Sequence, residues 1–310
     1  MTLKTVSRTQ GNNRALKAGD ISLPDFHLDF EEVPVLVQAF RKMVRELAYD
    51  VCEMALTTYI CAKAHGAKMT AIPVFLVRDF HHDAILHHVP SGLESPKDLE
   101  GKSVGVNRGY TVTTGVWARS IIQEEFGVDL SQIEWGLSGD EHVEAYIPPS
   151  NVRVLENLDL EKQLINGELV ATVGAKVVHP NVSTIFDDPF SAAISALKTR
   201  ELYPINHTVV IRDELLDHNP DVALQVFDAF VSAKRIYVDQ LKNNKIDNLS
   251  RADNVHLAAM EVVGDPLPYG VEANATVLET LMGHAVTQKI IPEAISLEDL
   301  FTKSLLNISA

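Results

Sequence analysis

The sequence predicts an α/β protein built as two successive α/β series, and three observations carry that prediction. Short β-rich runs alternate with amphipathic stretches ahead of Val89; the stretch VPSGLESPKDLEGK, rich in Pro, Gly and charge, interrupts them; and a second alternation starts beyond it. That rhythm is the rhythm of βαβ units and predicts a mostly parallel sheet.

The elements follow in order. Leu3 to Ser7 and His27 to Val33 read as strands, and Pro34 to Leu47 reads as a helix, with Pro in its first turn and Val37, Phe40, Val44 and Leu47 spaced to form one apolar face. Tyr49 to Met54 is a strand, Ala55 to His65 a helix stopped by Gly66, and Ala71 to Val77 and Asp83 to His88 are strands. The stretch from Val89 to Lys102 reads as a surface linker. Beyond it, Ser103 to Val106, Val152 to Leu155 and Leu169 to Val173 are short strands, and Trp117 to Phe126 is a helix closed by Gly127. Asp188 as N-cap and Pro189 at the first helical position open a helix through Lys198. Thr208 to Arg212 is a strand, and Asn219-Pro220 starts a long helix towards Leu241. There is no internal repeat and no low-complexity tract.

Composition narrows the function classes. A chain of 310 residues with 46% hydrophobic and 22% charged residues excludes disordered, collagen-like and disulfide-scaffold proteins. Lys and Arg number 27 against 42 Asp and Glu, a formal net charge of −15 that repels phosphate backbones and anionic lipid, so no nucleic acid and no membrane partner is expected. A small anionic substrate is compatible with that charge, because salt screens distant surface carboxylates while arginines in a cleft act at short range. A homo-oligomer is equally compatible. Cys52 and Cys61 form no CxxC spacing. The N-terminal MTLKTVSRTQGNNRALKAGD has no apolar h-region, and no stretch reaches membrane-spanning length, so a cytoplasmic location is expected.

Candidate sites come from strand ends. In SVGVNRGYTVTTGVWARSIIQ a strand ends at Val106, a loop with Arg108, Gly109 and Tyr110 follows, and a helix begins near Thr113 or Thr114. Backbone N–H groups and Thr hydroxyls at such a helix start suit a carboxylate; the plainer reading is a threonine-rich helix start with no ligand. Glu53, at the end of its strand and just before the helix near Thr57 and Thr58, is either a ligand contact or a charge on the helix dipole. Along RDFHHDAILHH, strand alternation puts His82 and His88 on one face and His81 and His87 on the other, so the four cannot converge on one ion unaided. His82 beside Arg78 reads as an acid or base, and His87 and His88 as a solvated strand end. His207, before an apolar strand in YPINHTVVIR, reads on these grounds as a hydrogen-bonded structural histidine.

The strings IPVFLVRDFHHDAIL, DLEGKSVGV followed by TVTTGVWARSIIQEEFGVD, and YPINHTVVIRDELL resemble the 4,5-dihydroxyphthalate decarboxylase family from about Tyr49 to about Phe230. The Arg and His near position 80 and the Thr-rich loop before Trp117 are the more specific parts, whereas many solute-binding proteins share DLEGKSVGV. The resemblance implies a two-lobe type 2 periplasmic-binding-protein-like fold, with mixed sheets flanked by helices and a ligand cleft between the lobes. It implies hinges near His88 to Ser91 and Pro204 to His207, with residues 1–90 and 206–310 in one lobe and 91–205 in the other. It carries over Glu53, Tyr59, Arg78, His82, Tyr110, Thr113, Thr114, Trp117, Arg119 and His207 as site positions. Family members have a Pro-Glu-Tyr-like loop where this chain has Asn107-Arg108-Gly109-Tyr110, a difference that touches the pocket.

The implied activity is cofactor-independent decarboxylation of a hydroxylated aromatic carboxylate, 4,5-dihydroxyphthalate to 3,4-dihydroxybenzoate and CO2 or a close analogue. That chemistry asks for an acid near the carbon that loses its carboxylate, an acceptor at the para hydroxyl, and cations on the carboxylate that stays. On this reading His82 leads as proton donor with His207 as the alternative, and Glu53 accepts from a ring hydroxyl or orients a histidine. Arg78 and Arg108 with Thr113 and Thr114 clamp a carboxylate, and Arg119, inside a helix, makes a surface or lobe contact. No redox or electron-sink cofactor is expected, and a divalent metal is not demanded by the spacing. The alternatives are a non-catalytic solute-binding protein for a small carboxylate and another non-redox lyase on the same fold.

Overall fold

The structure is a computed structural model and describes residues 1–155 and 159–310. Its strands are β1 (Thr2–Val6), β2 (His27–Phe30), β3 (Val51–Ala55), β4 (Met69–Arg78), β5 (Ile85–His88), β6 (Ser103–Val106), β7 (Glu134–Leu137), β8 (Val152–Val154), β9 (Ala171–Val173), β10 (Val182–Thr184) and β11 (Ile205–Arg212). Its helices are α1 (Arg14–Lys17), α2 (Leu36–Glu46), α3 (Leu56–Ala64), α4 (Thr113–Phe126), α5 (Leu160–Ile165), α6 (Pro189–Arg200), α7 (Asp213–His218), α8 (Val222–Lys242), α9 (Arg251–Val263), α10 (Ala275–Thr287) and α11 (Leu297–Leu300). No helix among the described residues is long and apolar enough to cross a membrane.

The chain divides into two units: 1–79, 205–279 and 295–310 form the first, and 80–204 with 280–294 the second. The first boundary falls ahead of the Pro- and Gly-rich stretch, because β5 pairs with β9 and β10 and so belongs to the second sheet. That stretch is two short 3-10 turns, Val89–Ser91 and Pro96–Leu99, with Pro96 and Leu99 buried. The part of the chain around Gln288 belongs to the second unit because Arg119 hydrogen-bonds to Gln288 and the latter's amide reaches the Val116 carbonyl.

The first unit holds a five-stranded sheet in the order β2-β1-β3-β11-β4. β1, β2 and β3 run parallel, but β11 is antiparallel to both β3 and β4, so the sheet is mixed rather than mostly parallel. β3 is buried at all five positions, as expected for a strand covered on both faces. α2 buries Ala39, Phe40 and Met43, a face rotated from the predicted one but sharing Phe40, and ends at Leu47 in the left-handed conformation.

The second unit holds a six-stranded sheet in the order β10-β5-β9-β6-β7-β8, with β6 parallel to β7 and β9 and with β5 antiparallel to β9 and β10. α4 is buried along most of its length, from Thr113 to Ile122, and Gly127 closes it in the left-handed conformation at φ 64°. Asp188 caps α6 by accepting from the Ser191 N–H at 3.0 Å, with Pro189 at the first helical position.

Candidate active site

In the first unit, sheet register brings Glu53 and His207 together. Val209 on β11 pairs with Glu53 on β3 and His207 pairs with Ala55, so His207 is the diagonal neighbour of Glu53 on one face of the sheet. Val6 at the end of β1 pairs with Cys52, which carries the following residues, Ser7 and Arg8, past the Glu53 side chain. The Glu53 carboxylate is 1% exposed and accepts from His207 Nδ1 at 2.6 Å, the Arg8 backbone N–H at 2.8 Å, Ser7 Oγ at 2.9 Å and Gln10 Nε2 at 3.3 Å. Asn13 holds the loop in turn, donating to Ser7 Oγ at 2.8 Å and accepting from the Gln10 N–H at 2.8 Å. Burial alone pushes the Glu53 carboxyl up, but the hydrogen bonds from His207, Arg8 and Ser7 and the His207 charge outweigh it and hold the group below the ordinary carboxylate range.

This arrangement fixes the state of the histidine. An ionised carboxylate only accepts, so the Nδ1 facing Glu53 carries the proton and Nε2 is left as the nitrogen that exchanges protons with anything outside. The His207 ring is partly exposed, with 17% of its side-chain surface open, and the edge of Phe40 on α2 packs against it at a centroid distance of 5.2 Å. A buried carboxylate that orients an imidazole whose far nitrogen is open is an acid–base dyad. The histidine read from the local sequence as structural thus has one ring nitrogen held by the buried Glu53 carboxylate and the other open.

Ser7, Arg8, Gln10 and Asn13 are functional neighbours that sequence reasoning missed. Their signal is the polar run SRTQGNNR directly after the first strand.

Two other first-unit candidates have different places. Arg78 ends β4, is 3% exposed and donates through Nη2 to the Asn274 Oδ1. Asn274 is aimed at it because its own amide donates to the Pro268 and Gly270 carbonyls at 2.9 and 2.7 Å. Tyr59 is a correction: it is 0% exposed, its hydroxyl donates to the Leu300 carbonyl and accepts from the Ala71 N–H, and it ties α3 to α11 and β4 inside the core.

In the second unit the Thr-rich loop is an anion cradle that the chain fills itself. The Glu141 carboxylate accepts from the backbone N–H of Tyr110, from the Thr111 N–H at 3.2 Å and from Thr111 Oγ1 at 2.6 Å. Gly109 makes room for it, since a Cβ there would lie 2.6 Å from Glu141 Oε2. Thr113 is buried and Thr114 half-buried at the start of α4, and Val112 rather than a threonine is the N-cap. Arg108, exposed and left-handed at φ 71°, donates its backbone N–H to Ser138 Oγ, and its guanidinium has no partner among the described residues. An open guanidinium suits a carboxylate.

The remaining second-unit candidates are structural. Tyr110 is 2% exposed and its ring lies under the Arg119 guanidinium, 3.7 Å from the ring centroid, with Trp135 on the same cation at 5.7 Å. Arg119 is fully buried, donating to Gln288 Oε1 and the Tyr110 carbonyl, and does not lie on the surface. Trp117 is 1% exposed, edge-on to His284 at 6.0 Å, and belongs to the core.

His82 is the main correction. Its Nε2 lies 3.0 Å from Glu125 Oε1, its ring packs edge-on against Phe186, and it is 1% exposed. Glu125 is in the last turn of α4 and Thr114 in the first, about 16 Å apart at the helical rise, so His82 stands at the wrong end of that helix for a carboxylate held at its start. His87 and His88 are not on a solvated strand end either, because β5 lies between β9 and β10. Among the described residues no three His, Cys, Asp or Glu side chains group so as to hold a metal ion.

No family model matches the chain. It is 29% identical over 311 residues to a 4,5-dihydroxyphthalate decarboxylase of Comamonas testosteroni, covering 93% of this chain and 92% of that protein. It is 34% identical over 172 residues to the Pseudomonas putida protein of the same name, covering 50% of this chain and 66% of the relative. Among solved structures, the periplasmic aliphatic sulphonate binding protein SsuA of Escherichia coli superposes with a TM-score of 0.58 at 13% identity over 98% of both chains. A Candida albicans protein described as exhibiting the generic periplasmic binding protein fold gives 0.56 at 14% identity, covering 100% of this chain and 99% of that one. The desulfurization enzyme DSZB gives 0.55 at 11% identity over 97% and 96%. At such identities these structures establish the fold, which is that of the periplasmic binding proteins, and leave the chemistry to the residues.

Proposed function

We propose that this chain, a relative of the 4,5-dihydroxyphthalate decarboxylases on a periplasmic-binding-protein fold, is a carboxy-lyase that removes CO2 from a hydroxylated aromatic carboxylate with His207 as its proton donor. The observation that carries the reading is the Glu53–His207 dyad. A buried carboxylate held ionised by Ser7, Arg8 and Gln10 fixes the imidazole with Nδ1 inward and Nε2 outward.

The reaction follows from the substrate class. In 4,5-dihydroxyphthalate each carboxylate has a hydroxyl para to it. Protonated His207 gives its Nε2 proton to the ring carbon bearing the departing carboxylate, and the para hydroxyl supplies electron density while its own proton passes to water. The carbon–carboxylate bond then breaks, CO2 leaves with no net change in electrons, and the ring regains aromaticity as 3,4-dihydroxybenzoate. The phenol is reprotonated and His207 recovers a proton from water. Glu53 stays ionised throughout, orienting the ring and opposing the charge of the imidazolium, a contribution made where charge resides before the transfer. These steps call for no redox or electron-sink cofactor.

Turnover in D2O tests the reading. The expected result is 3,4-dihydroxybenzoate with a single deuterium at the vacated carbon, seen by mass and by proton NMR, together with released CO2. Binding of the dihydroxyphthalate without CO2 release would move the chain to the solute-binding proteins whose fold it shares.

A further inference from the structure

Behind the loop that holds Glu53, the first unit contains a cavity of about 780 Å³ that the dyad does not line. Arg8, Gln10 and Gly11 form one wall, α8 supplies Ile236 and Tyr237, the segment leading into α9 supplies Ile246, and α9 itself supplies His256. The loop and α8 are in close contact: a Cβ on Gly11 would lie 2.1 Å from the Tyr237 ring, so only glycine lets the two approach this far.

Proton counting assigns the polar end of the cavity. Tyr237 donates its one hydroxyl proton to Asp253 Oδ1 at 2.5 Å, so at 2.7 Å it accepts from His256, whose proton is therefore on Nδ1. His256 Nε2 is then a bare acceptor, and it has no partner among the described residues although the side chain is 5% exposed. Burial lowers the His256 pKa to about 4, which keeps the ring neutral and its acceptor available at physiological pH. A capped helix accounts for Asp253, which also accepts from Ser250, but not for an open imidazole nitrogen in a cavity wall.

Arg8 and Arg14 give the cavity its second feature. Both line it, and neither guanidinium has a partner among the described residues. Asp20 and Asp247 also line it without pairing to either. Two open guanidinium forks, a neutral acceptor and the apolar faces of Ile236 and Ile246 describe a small molecule with a carboxylate, a hydroxyl and an apolar ring.

We propose that this cavity is a second binding site, distinct from the catalytic dyad, for a small hydroxylated aromatic carboxylate of the class the reaction yields. Its occupant adjoins the loop whose Arg8 N–H and Gln10 amide hold Glu53, so binding there bears on the dyad. The choice of class rests on the proposed decarboxylation; the site itself rests on the cavity.

The test is titration calorimetry of the full chain with 3,4-dihydroxybenzoate, alongside turnover of 4,5-dihydroxyphthalate. The wild type is expected to bind two equivalents. In Arg14→Ala, whose side chain is exposed, the second equivalent should weaken by about tenfold or more, with initial turnover unchanged. His256→Gln should do the same, and because that side chain is buried, Arg14→Ala keeps the test valid if the glutamine variant fails to fold. One equivalent in the wild type, or a second equivalent indifferent to Arg14→Ala, overturns the site. Loss of the second equivalent in Arg14→Ala from a protein that does not turn over the dihydroxyphthalate leaves the site standing and removes the decarboxylase reading instead.

Discussion

Glu53 holds the imidazole of His207, and in the proposed reaction His207 moves the proton. Replacing His207 by Gln is expected to lower turnover by about 10²–10⁴-fold with substrate affinity nearly kept, because a proton donor acts in the transition state. His82→Gln, by contrast, should cost stability of about 1 kcal/mol through the lost Glu125 hydrogen bond and leave turnover within about tenfold of wild type. Acid titration separates Glu53 from His256. Glu53 is ionised in the fold to lower pH than in the unfolded chain, so its contribution is present above about pH 4.5 and is lost as pH falls through its folded value. His256 has the opposite charge type. Its neutral form is favoured in the fold, so its contribution is complete above about pH 6.5 and is lost as pH falls towards about 4, about 3 kcal/mol at about 1.4 kcal/mol per unit. Urea midpoints of wild type and His256→Gln should therefore converge between pH 6.5 and 4; a constant gap would contradict the assignment of a buried neutral ring.

Elements decide which residues meet, and here the sequence was legible in part. The alternation of strand and helix could be read because its apolar periods are local, and Ser103–Val106 and the start of the helix at Pro189 lie where the pattern puts them. Partnership could not be read in that way. Whether His207 or His82 stands by a useful carboxylate depends on pairing between β3 and β11, more than 150 residues apart in sequence, and on how far along α4 His82 docks. Burial was equally hidden: Tyr59, Trp117 and Arg119 have the polar or aromatic character of pocket residues, yet Tyr59 spends its hydroxyl, Trp117 packs its ring and Arg119 spends its Nε and Nη2 donors inside the core. The loop before α4 carries its own prediction. Gly109→Ala drives a Cβ into the Glu141 carboxylate and should lower stability by about 1–3 kcal/mol through the lost hydrogen bonds, measured by urea denaturation. Arg108→Gly relieves a left-handed backbone and should leave stability equal or higher; a loss would mean that the guanidinium has a structural role.

At the scale of the whole molecule, each unit is assembled from separated stretches of chain. β11 enters the first sheet between β3 and β4 only after the second unit's sheet is complete in sequence, so it supplies the dyad histidine and closes that sheet in one stroke. Breaking β11 with Val209→Pro should deprive the first unit of its central strand and unfold it, while β5 to β10 retain their pairing. Backbone hydrogen exchange would show protection confined to the second unit; protection of β3 and β4 without β11 would contradict the account. The relatives are named for a reaction on an aromatic carboxylate, and the fold neighbours include both a sulphonate binding protein and a desulfurization enzyme, so the architecture alone does not fix the chemistry. The most direct test is a comparison of wild type, His207→Gln and His82→Gln on 4,5-dihydroxyphthalate, following CO2 release and substrate binding in the same preparations. The account predicts release by wild type and His82→Gln, and a loss of at least about a hundredfold in His207→Gln with binding retained. No release from the wild type, or a His207→Gln rate equal to it, would contradict the claim that His207 is the proton donor of a decarboxylase.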